Sequence, residues 1–482
     1  MSFPFGLSFS RGPRKSRPFV KKPVNPDGQR LLGFTVDTHE PIWAPPGHSL
    51  LLASAGSGKT TCGAMVWLYS YAASEPEKAV LCLDSKNGEM AIQAARMLAA
   101  MGRKVAIIDD MGVWTDLVAY CISLNPFGAA VATFQRDPRD MIFTTENITF
   151  AGIKEPPDDA KNTYFRAWPR NLIEFCILVL AKRQLQMVIP GGTSSLLSNQ
   201  DMLLRFAHIE AEEGDPYLQG LARSILAMAK HEHWPQHLEE AQRALKIFAP
   251  GTRLHNAGKD ATITHEELIR EGYIVFLVGP QAYMNRLGSY YAFHMLAFAE
   301  ALYAGAGTLR VIADEFTNCP LLSLVEMLTT LRGFGGTEVH MIAQSRSEIE
   351  RRFGKTAALT IADNAVVQIW YGFSSLQEAK MVSDMMGEEH ALATSLSAND
   401  GPKLNTNLSL IKQKILSPAE LLALPRDVQL IYAKGIGFLL ARKVGMQNID
   451  PFCHLVDKNE IEGGILRPDP WITFQLALGG TA

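Results

Sequence analysis

The stretch Leu50-Leu51-Leu52-Ala53-Ser54-Ala55-Gly56-Ser57-Gly58-Lys59-Thr60-Thr61 constrains this chain more than any other. A short apolar run reads as a buried strand, and a loop of small residues follows. Gly58-Lys59-Thr60 closes the loop, and Cys62 to Tyr71 has the composition of a helix with Ala64, Met65, Leu68 and Tyr71 on one side. Strand, glycine loop, lysine, hydroxyl and helix in that order form a phosphate-binding P-loop. The backbone of Ala55, Gly56, Ser57, Gly58, Lys59, Thr60 and Thr61 supplies the candidate nucleotide contacts, because loop amides and a helix N-terminus attract phosphate oxygens. Gly56 and Gly58 let the backbone approach without a Cβ. Lys59 is expected to reach the β- and γ-phosphates, and the Thr60 hydroxyl to ligate Mg²⁺. One position departs from the pattern G-x-x-x-x-G-K-[ST]: its first glycine is Ala53 here. Alanine is small, so the turn is still expected.

Composition bounds the rest. The chain has 482 residues, enough for two to three domains or for one large α/β domain with an insertion. Hydrophobic residues make up 47% and charged residues 20%, which indicates a globular chain with a sizeable core. A net charge of −3 excludes a uniformly basic nucleic-acid binder, so any such contact must use local patches. The cysteines, Cys62, Cys82, Cys121, Cys176, Cys319 and Cys453, are scattered without a C-x-x-C. They read as reduced core thiols in a cytoplasmic protein. No window reaches the roughly 18 apolar residues of a membrane span, and no secretory leader pattern is present.

Residues 1–30 are rich in Pro, Gly and Ser. Arg11, Arg14, Lys15, Arg17, Lys21 and Lys22 form a basic run there. It reads either as a solvated end or as a contact with anionic lipid or DNA. From 31 to 150 strands alternate with helices: Ala79–Asp84 and Val105–Ile108 are expected strands, with Cys121–Leu124 as a third, and Ala91–Met101 is a helix. That alternation argues a parallel sheet, whose ligands sit at the carboxyl ends of the strands. From 151 to 268 strand-like runs become rare. Leu218, Leu221, Ile225 and Met228 lie at helical spacing after an Asp215-Pro216 start, so an all-helical insertion is expected. His231, His233 and His237 are spaced like metal ligands, but the bland reading, a polar helix end beside Trp234-Pro235, is the better one. From 269 onward α/β character returns. Tyr273–Val278, Leu309–Ala313, Val339–Ala343 and Ala365–Trp370 are strands, Met284–Tyr303 is a helix, Ser395–Asn407 is a polar loop, and Val428–Ala433 with Phe438–Lys443 form a closing hairpin.

Val311-Ile312-Ala313-Asp314-Glu315 is the acidic partner a P-loop requires. Asp314 is expected to hold Mg²⁺ through water, and Glu315 to orient and polarise the attacking water. Gln344, at the next strand end, reads either as a γ-phosphate sensor or as an ordinary polar residue. Arg332, before Gly333-Phe334-Gly335, reads either as a solvated arginine or as a finger acting on a neighbour's nucleotide.

Over roughly residues 40–445 this series of motifs resembles the TraG-like coupling ATPases of conjugation and type IV secretion, relatives of the RecA-like, FtsK-type DNA pumps. The resemblance runs through the P-loop, Asp84-Ser85-Lys86-Asn87-Gly88-Glu89, Leu124-Asn125-Pro126-Phe127 and the helical insertion. It continues through Ala313-Asp314-Glu315-Phe316, Arg332-Gly333-Phe334-Gly335, Ile342-Ala343-Gln344-Ser345, Phe353-Gly354, Val382-Ser383 to Gly387, and Leu424-Pro425. It implies an α/β fold, a RecA-like P-loop NTPase domain (31–150 with 269–482) carrying an inserted all-α domain (151–268) behind a basic tail (1–30). It implies ATP and Mg²⁺ as cofactors, with Lys59, Glu315, Gln344 and an Arg332 supplied in trans as catalytic residues. It implies a homo-hexameric ring that hydrolyses ATP to deliver DNA or a relaxosome protein–DNA substrate to type IV secretion components. Three departures stand against the family pattern: Ala53, one extra residue in Asp84–Glu89, and no transmembrane helices where typical members have them. A cytoplasmic chain held peripherally at the inner membrane through residues 11–22 is the corresponding expectation. Two rival readings are a helicase-like or FtsK-type translocase that serves no secretion apparatus, and an ATP-dependent scaffold that only docks substrates.

Overall fold

The computed structural model describes residues 28–153, 163–318, 325, 328–333, 336–398, 404–461, 463 and 466–475. The basic run 11–22 and Cys319 lie outside the described residues.

Among the described residues the central layer is an eleven-stranded sheet. Its first members are β1 (Leu31–Thr35), β2 (Pro41–Trp43), β3 (Ser49–Leu52), β4 (Ala79–Asp84) and β5 (Val105–Ile108). Next come β6 (Ile274–Val278), β7 (Leu309–Ala313), β8 (Glu338–Ala343) and β9 (Val367–Trp370). A separate two-stranded ribbon, β10 (Glu388–Ala398) with β11 (Leu404–Lys414), precedes β12 (Val428–Ala433) and β13 (Gly437–Arg442). The lateral order is β2-β1-β13-β12-β9-β3-β8-β7-β4-β6-β5. From β9 to β5 every neighbouring pair is parallel, and from β9 to β2 every pair is antiparallel. The sequence explains the division. β3, β4, β6 and β7 are buried along their whole length, as strands covered on both faces must be, and read as continuous apolar runs.

Helix α1 (Met65–Ser74) follows the P-loop and is buried from Met65 to Ala73. The one-sided pattern expected for it is therefore a pattern on all sides, because the helix lies within the core instead of on its surface. Helix α2 (Glu89–Ala100) follows β4. Between β5 and β6 the elements among the described residues are helices. α3 (Gly128–Arg136) and α4 (Met141–Gly152) pack on α11 (Gly288–Tyr303), which precedes β7. α5 (Thr163–Arg183), α6 (Pro190–Ser198), α7 (Gln200–Glu213), α8 (Pro216–Met228) and α9 (Trp234–Ala244) pack on one another, and α10 (His265–Arg270) leads into β6. The Asp215-Pro216 start holds: the Asp215 carboxylate accepts from the amides of Tyr217 and Leu218, both at 3.0 Å, with proline in the first turn. Leu218, Ile225 and Met228 are buried.

Two expectations are corrected, Cys121–Leu124 as a strand and Ser395–Asn407 as a loop. Cys121–Leu124 makes one bridge, Cys121 to Ile107, and no strand; the Asn125 side chain draws the chain away by accepting from Phe127 N at 2.8 Å and donating to Val188 O at 2.8 Å. Ser395–Asn407 is not a loop throughout. Glu388 to Ala398 pairs in register with Lys414 to Leu404, because a polar Ser/Thr/Asn alternation is still compatible with strand pairing; residues 399–403 lie outside the described residues. His237 is buried, its ring tilted against Phe165 and Trp168 at 6.3 Å, and among the described residues the three histidines do not converge as metal ligands. Among the described residues no helix is long and apolar enough to cross a membrane.

Candidate nucleotide-binding site

The departure at Ala53 is absorbed by strand pairing. Ala53 N donates to Ala343 O at 3.0 Å, so the residue continues the β3–β8 ladder and is 1% exposed. Among the described non-glycine residues, those with positive φ are His39, Asn87 and Glu315, and Ala53 is not one of them. The turn needs glycine later, at Gly58 (φ +85°), where an added side chain would also press on Cys62 Sγ at 3.2 Å. The Ser57 amide and hydroxyl both donate to Ser54 O, at 3.2 and 2.6 Å. From Lys59 to Ala64 the chain winds as a wider, π-type helical turn that runs into α1. Tyr371, just after β9, braces it by donating its hydroxyl to Cys62 O at 2.7 Å.

Sheet order delivers the acidic pair. β3 and β7 each flank β8, so the ends of the P-loop strand and of the strand before Asp314-Glu315 lie one strand apart. Lys59 Nζ meets Glu315 Oε1 at 2.5 Å, and Thr60 Oγ1 donates to Asp314 Oδ2 at 2.9 Å. All four residues are buried. Gln344, at the end of β8, donates from Nε2 to Glu315 Oε1 at 3.4 Å, and Asn318 Nδ2 donates to Oε2 at 3.3 Å. Glu315 sits at φ +53°, a left-handed conformation that costs a non-glycine residue free energy. Its backbone is held by the Asn318 N to Glu315 O bond of 2.9 Å.

Sequence reading did not assign a role to Lys86. Its Nζ stands 3.2 Å from the same Glu315 Oε1 that Lys59 contacts, so two ammonium groups converge on one oxygen. Burial pushes the Glu315 carboxyl up, but the Lys59 hydrogen bond and charge, then those of Lys86, outweigh it and hold the group below the ordinary carboxylate range. Asp314 goes the other way: burial raises it despite the charges of Lys86 and Lys59. A second missed residue is Lys443, at the end of β13. It reaches Ser57 O and Tyr371 O at 3.4 Å each and lies over the Tyr371 ring at 4.4 Å. Burial pulls its ammonium down to about 8. The antiparallel side of the sheet thereby braces the P-loop backbone, a contact that no local pattern reveals.

The structure brings Lys59, Thr60, Asp314, Glu315 and Gln344 together, with Ala55 to Thr61 as the loop around them. It does not bring the Arg332 backbone there. The turn Leu331–Gly333 packs on α11, and Thr330 Oγ1 lies 2.7 Å from the hydroxyl of Tyr303 at the last turn of that helix. That is the end of the sheet where β7 and β8 begin, opposite the P-loop. The Arg332 side chain lies outside the described residues.

The residues fit a magnesium ion. Asp314 Oδ1 is buried with no hydrogen-bond partner, beside an Oδ2 already joined to the Thr60 hydroxyl. An orphaned carboxylate oxygen next to a threonine hydroxyl is the hard-oxygen set that Mg²⁺ takes at P-loops.

Fold and site together define a RecA-like P-loop NTPase fold carrying an inserted set of helices. Residues 308–426 match the family model described as the TraM recognition site of TraD and TraG. Among solved structures, the chain is similar to the bacterial conjugative coupling protein TrwBdeltaN70 in its unbound monoclinic form, with a TM-score of 0.58 at 16% identity, covering 86% of this chain and 88% of that one. It is similar to the plasmid coupling protein TrwB in complex with the ATP analogue ADPNP, with a TM-score of 0.59 at 16% identity over 82% and 85% of the two chains. It is also similar to TrwB in complex with ADP and Mg²⁺, with a TM-score of 0.56 at 14% identity over 88% and 87%. No curated protein matches. The family match and the shared fold support the resemblance to TraG-like coupling proteins that the motifs carry.

Proposed function

We propose that this chain is an ATP-driven coupling motor that delivers DNA, or a protein–DNA substrate, to a type IV secretion channel. The observation that carries the proposal is the closure of Lys59 and Thr60 onto Asp314 and Glu315, at 2.5 and 2.9 Å. A site that only bound nucleotide would need the P-loop. Glu315 adds a carboxylate kept ionised by two lysines where an attacking water must be oriented, which favours hydrolysis over docking alone.

In this reading the loop amides from Ala55 to Thr61 and the Lys59 ammonium bind the phosphates. Thr60 and Asp314 would hold Mg²⁺, which when bound neutralises charge on the phosphate oxygens. Glu315 takes the proton of the attacking water at a carboxylate oxygen. Gln344, hydrogen-bonded to Glu315, links that carboxylate to the end of β8 and reads the state of the γ-phosphate. The remote position of the Arg332 backbone supports a finger supplied by a neighbouring subunit, and with it a homo-hexameric ring. The division into 31–150 with 269–482 as motor and 151–268 as helical domain follows from the same reading. The helical domain then recognises the relaxosome or other substrate. The match over 308–426, named for recognition of TraM, supports a further protein contact on the motor itself. The chain works in the cytoplasm, with the basic segment 11–22 attaching it to the inner membrane.

DNA-stimulated hydrolysis tests the proposal. Turnover of ATP by the purified protein at low salt is expected to rise about tenfold or more when single- or double-stranded DNA is added, and the stimulation to fade as salt rises, because phosphate-backbone contacts release counterions. Hydrolysis that DNA leaves unchanged at low salt would overturn the DNA-motor reading.

A further inference from the structure

Lys86 occupies a built position. Asp84, the last residue of β4, accepts from Met90 N at 2.9 Å and from Ala91 N at 2.8 Å, so it caps α2 from the strand end. Between them the chain must turn sharply, and Asn87 (φ +56°) and Gly88 (φ +69°) are both left-handed. Asn87 is the extra residue in the stretch Asp84–Glu89, and three neighbours hold its unfavourable backbone. Its amide donates to Gly279 O at 2.9 Å, its Oδ1 accepts from Gln281 N at 2.8 Å, and its carbonyl accepts from the Trp114 indole. A strained residue fixed from several sides marks a loop whose geometry is specified. What the loop presents to the phosphate site is Lys86.

The groups facing it are charged. Lys86 stands near Asp314, Glu315 and Glu89, and their charges outweigh the burial that would lower its ammonium. On Glu315, Oε1 takes Lys59, Lys86 and Gln344, while Oε2 takes Asn318. Lys59 is the P-loop lysine, so phosphate and Glu315 compete for the same ammonium. Once Lys59 turns to phosphate, Lys86 is the cation that stays beside the carboxylate among the described residues.

We propose, resting on the hydrolytic reading of this site, that Lys86 is a positioning residue for hydrolysis, which holds the Glu315 carboxylate in place when Lys59 engages the nucleotide. Lys86 acts through Glu315 and does not itself bind the phosphates. Its removal therefore lowers turnover and leaves nucleotide affinity alone.

The experiment compares the full chain with Lys86→Met, Lys86→Gln and Lys86→Arg, measuring ATP turnover over a range of ATP, binding of a fluorescent ATP analogue, and thermal unfolding. In Lys86→Met and Lys86→Gln, kcat is expected to fall about 10- to 100-fold, as for a misplaced catalytic group, with KM and analogue affinity close to wild type. Lys86→Arg, which keeps a cation at that reach, is expected to recover most of the turnover. A kcat within about twofold of wild type in both neutral variants overturns the proposal. So does a loss that appears in KM and analogue affinity, which would make Lys86 a phosphate ligand, or an arginine variant as slow as the neutral ones. A wild-type chain that binds the analogue and hydrolyses nothing overturns the hydrolytic reading itself, and Lys86 with it. A slow Lys86→Met chain that also melts early is judged on Lys86→Gln and on the recovery by arginine.

Discussion

Replacing Lys59 by alanine is expected to remove ATP turnover and to weaken nucleotide binding by about 100-fold or more, while leaving the fold intact. The two halves of that expectation have separate origins. In the proposed site Lys59 is the P-loop side chain that delivers charge to the phosphates, and in a buried site an aligned cation is worth far more than in water. Stability is a different matter. Removing one partner of a buried ion pair ordinarily leaves an uncompensated charge, at about 3–5 kcal/mol. Here Glu315 keeps Lys86, Asn318 and Gln344, so the carboxylate is not orphaned and the melting temperature is expected to change little. Analogue binding, ATP turnover and a thermal melt on Lys59→Ala check all three. Retained turnover would remove the P-loop from the account.

The second large effect belongs to the proposed completion of the site by a neighbouring subunit. Glu315→Gln keeps the shape of the side chain and removes its basicity, so turnover is expected to fall by about 10²–10⁴, with nucleotide still bound. Arg332→Ala is expected to cost about 10³ or more if the arginine stabilises charge developing on the transferred phosphate. Each variant alone is expected to keep at most about a hundredth of wild-type turnover. Mixed in equal amounts and allowed to reassemble, they are expected to recover roughly a quarter of wild-type turnover, since about one interface in four joins an intact arginine to an intact glutamate in a randomly filled ring. A mixture no faster than its two parents would mean that Arg332 does not complete a neighbour's site. The end of the sheet on which the Leu331–Gly333 turn lies is what makes the recovery the expected result.

Much of this site is legible in the sequence because its parts are local. Gly58-Lys59-Thr60 and Asp314-Glu315 each follow an apolar run that becomes a fully buried parallel strand, and burial on both faces leaves a mark that reading along the chain detects. The adjacency of those strands is not local. β3 and β7 are brought within one strand of each other by β8, which comes last of the three in the chain. The same holds for Lys86. Its motif was visible, but its role depends on β4 lying beside β7 and on Asn87 being held left-handed by Gly279, Gln281 and Trp114. Lys443 reaches the P-loop only because β12 and β13 fold back to extend the sheet on the far side of β9. The ribbon β10–β11 was missed for the opposite reason: its polar composition resembles a loop, while its pairing depends on backbone register. Ala53 shows a motif departure resolved by context, since a residue that extends a strand has no need of a glycine's freedom.

In the proposed motor, hydrolysis at Lys59, Asp314 and Glu315 moves DNA. Displacement of streptavidin from the end of biotinylated DNA at low salt tests it most directly. The wild-type chain is expected to displace streptavidin with ATP and Mg²⁺, and to fail with a non-hydrolysable analogue or as Glu315→Gln. Rapid, DNA-stimulated ATP hydrolysis with no streptavidin displaced would contradict the account.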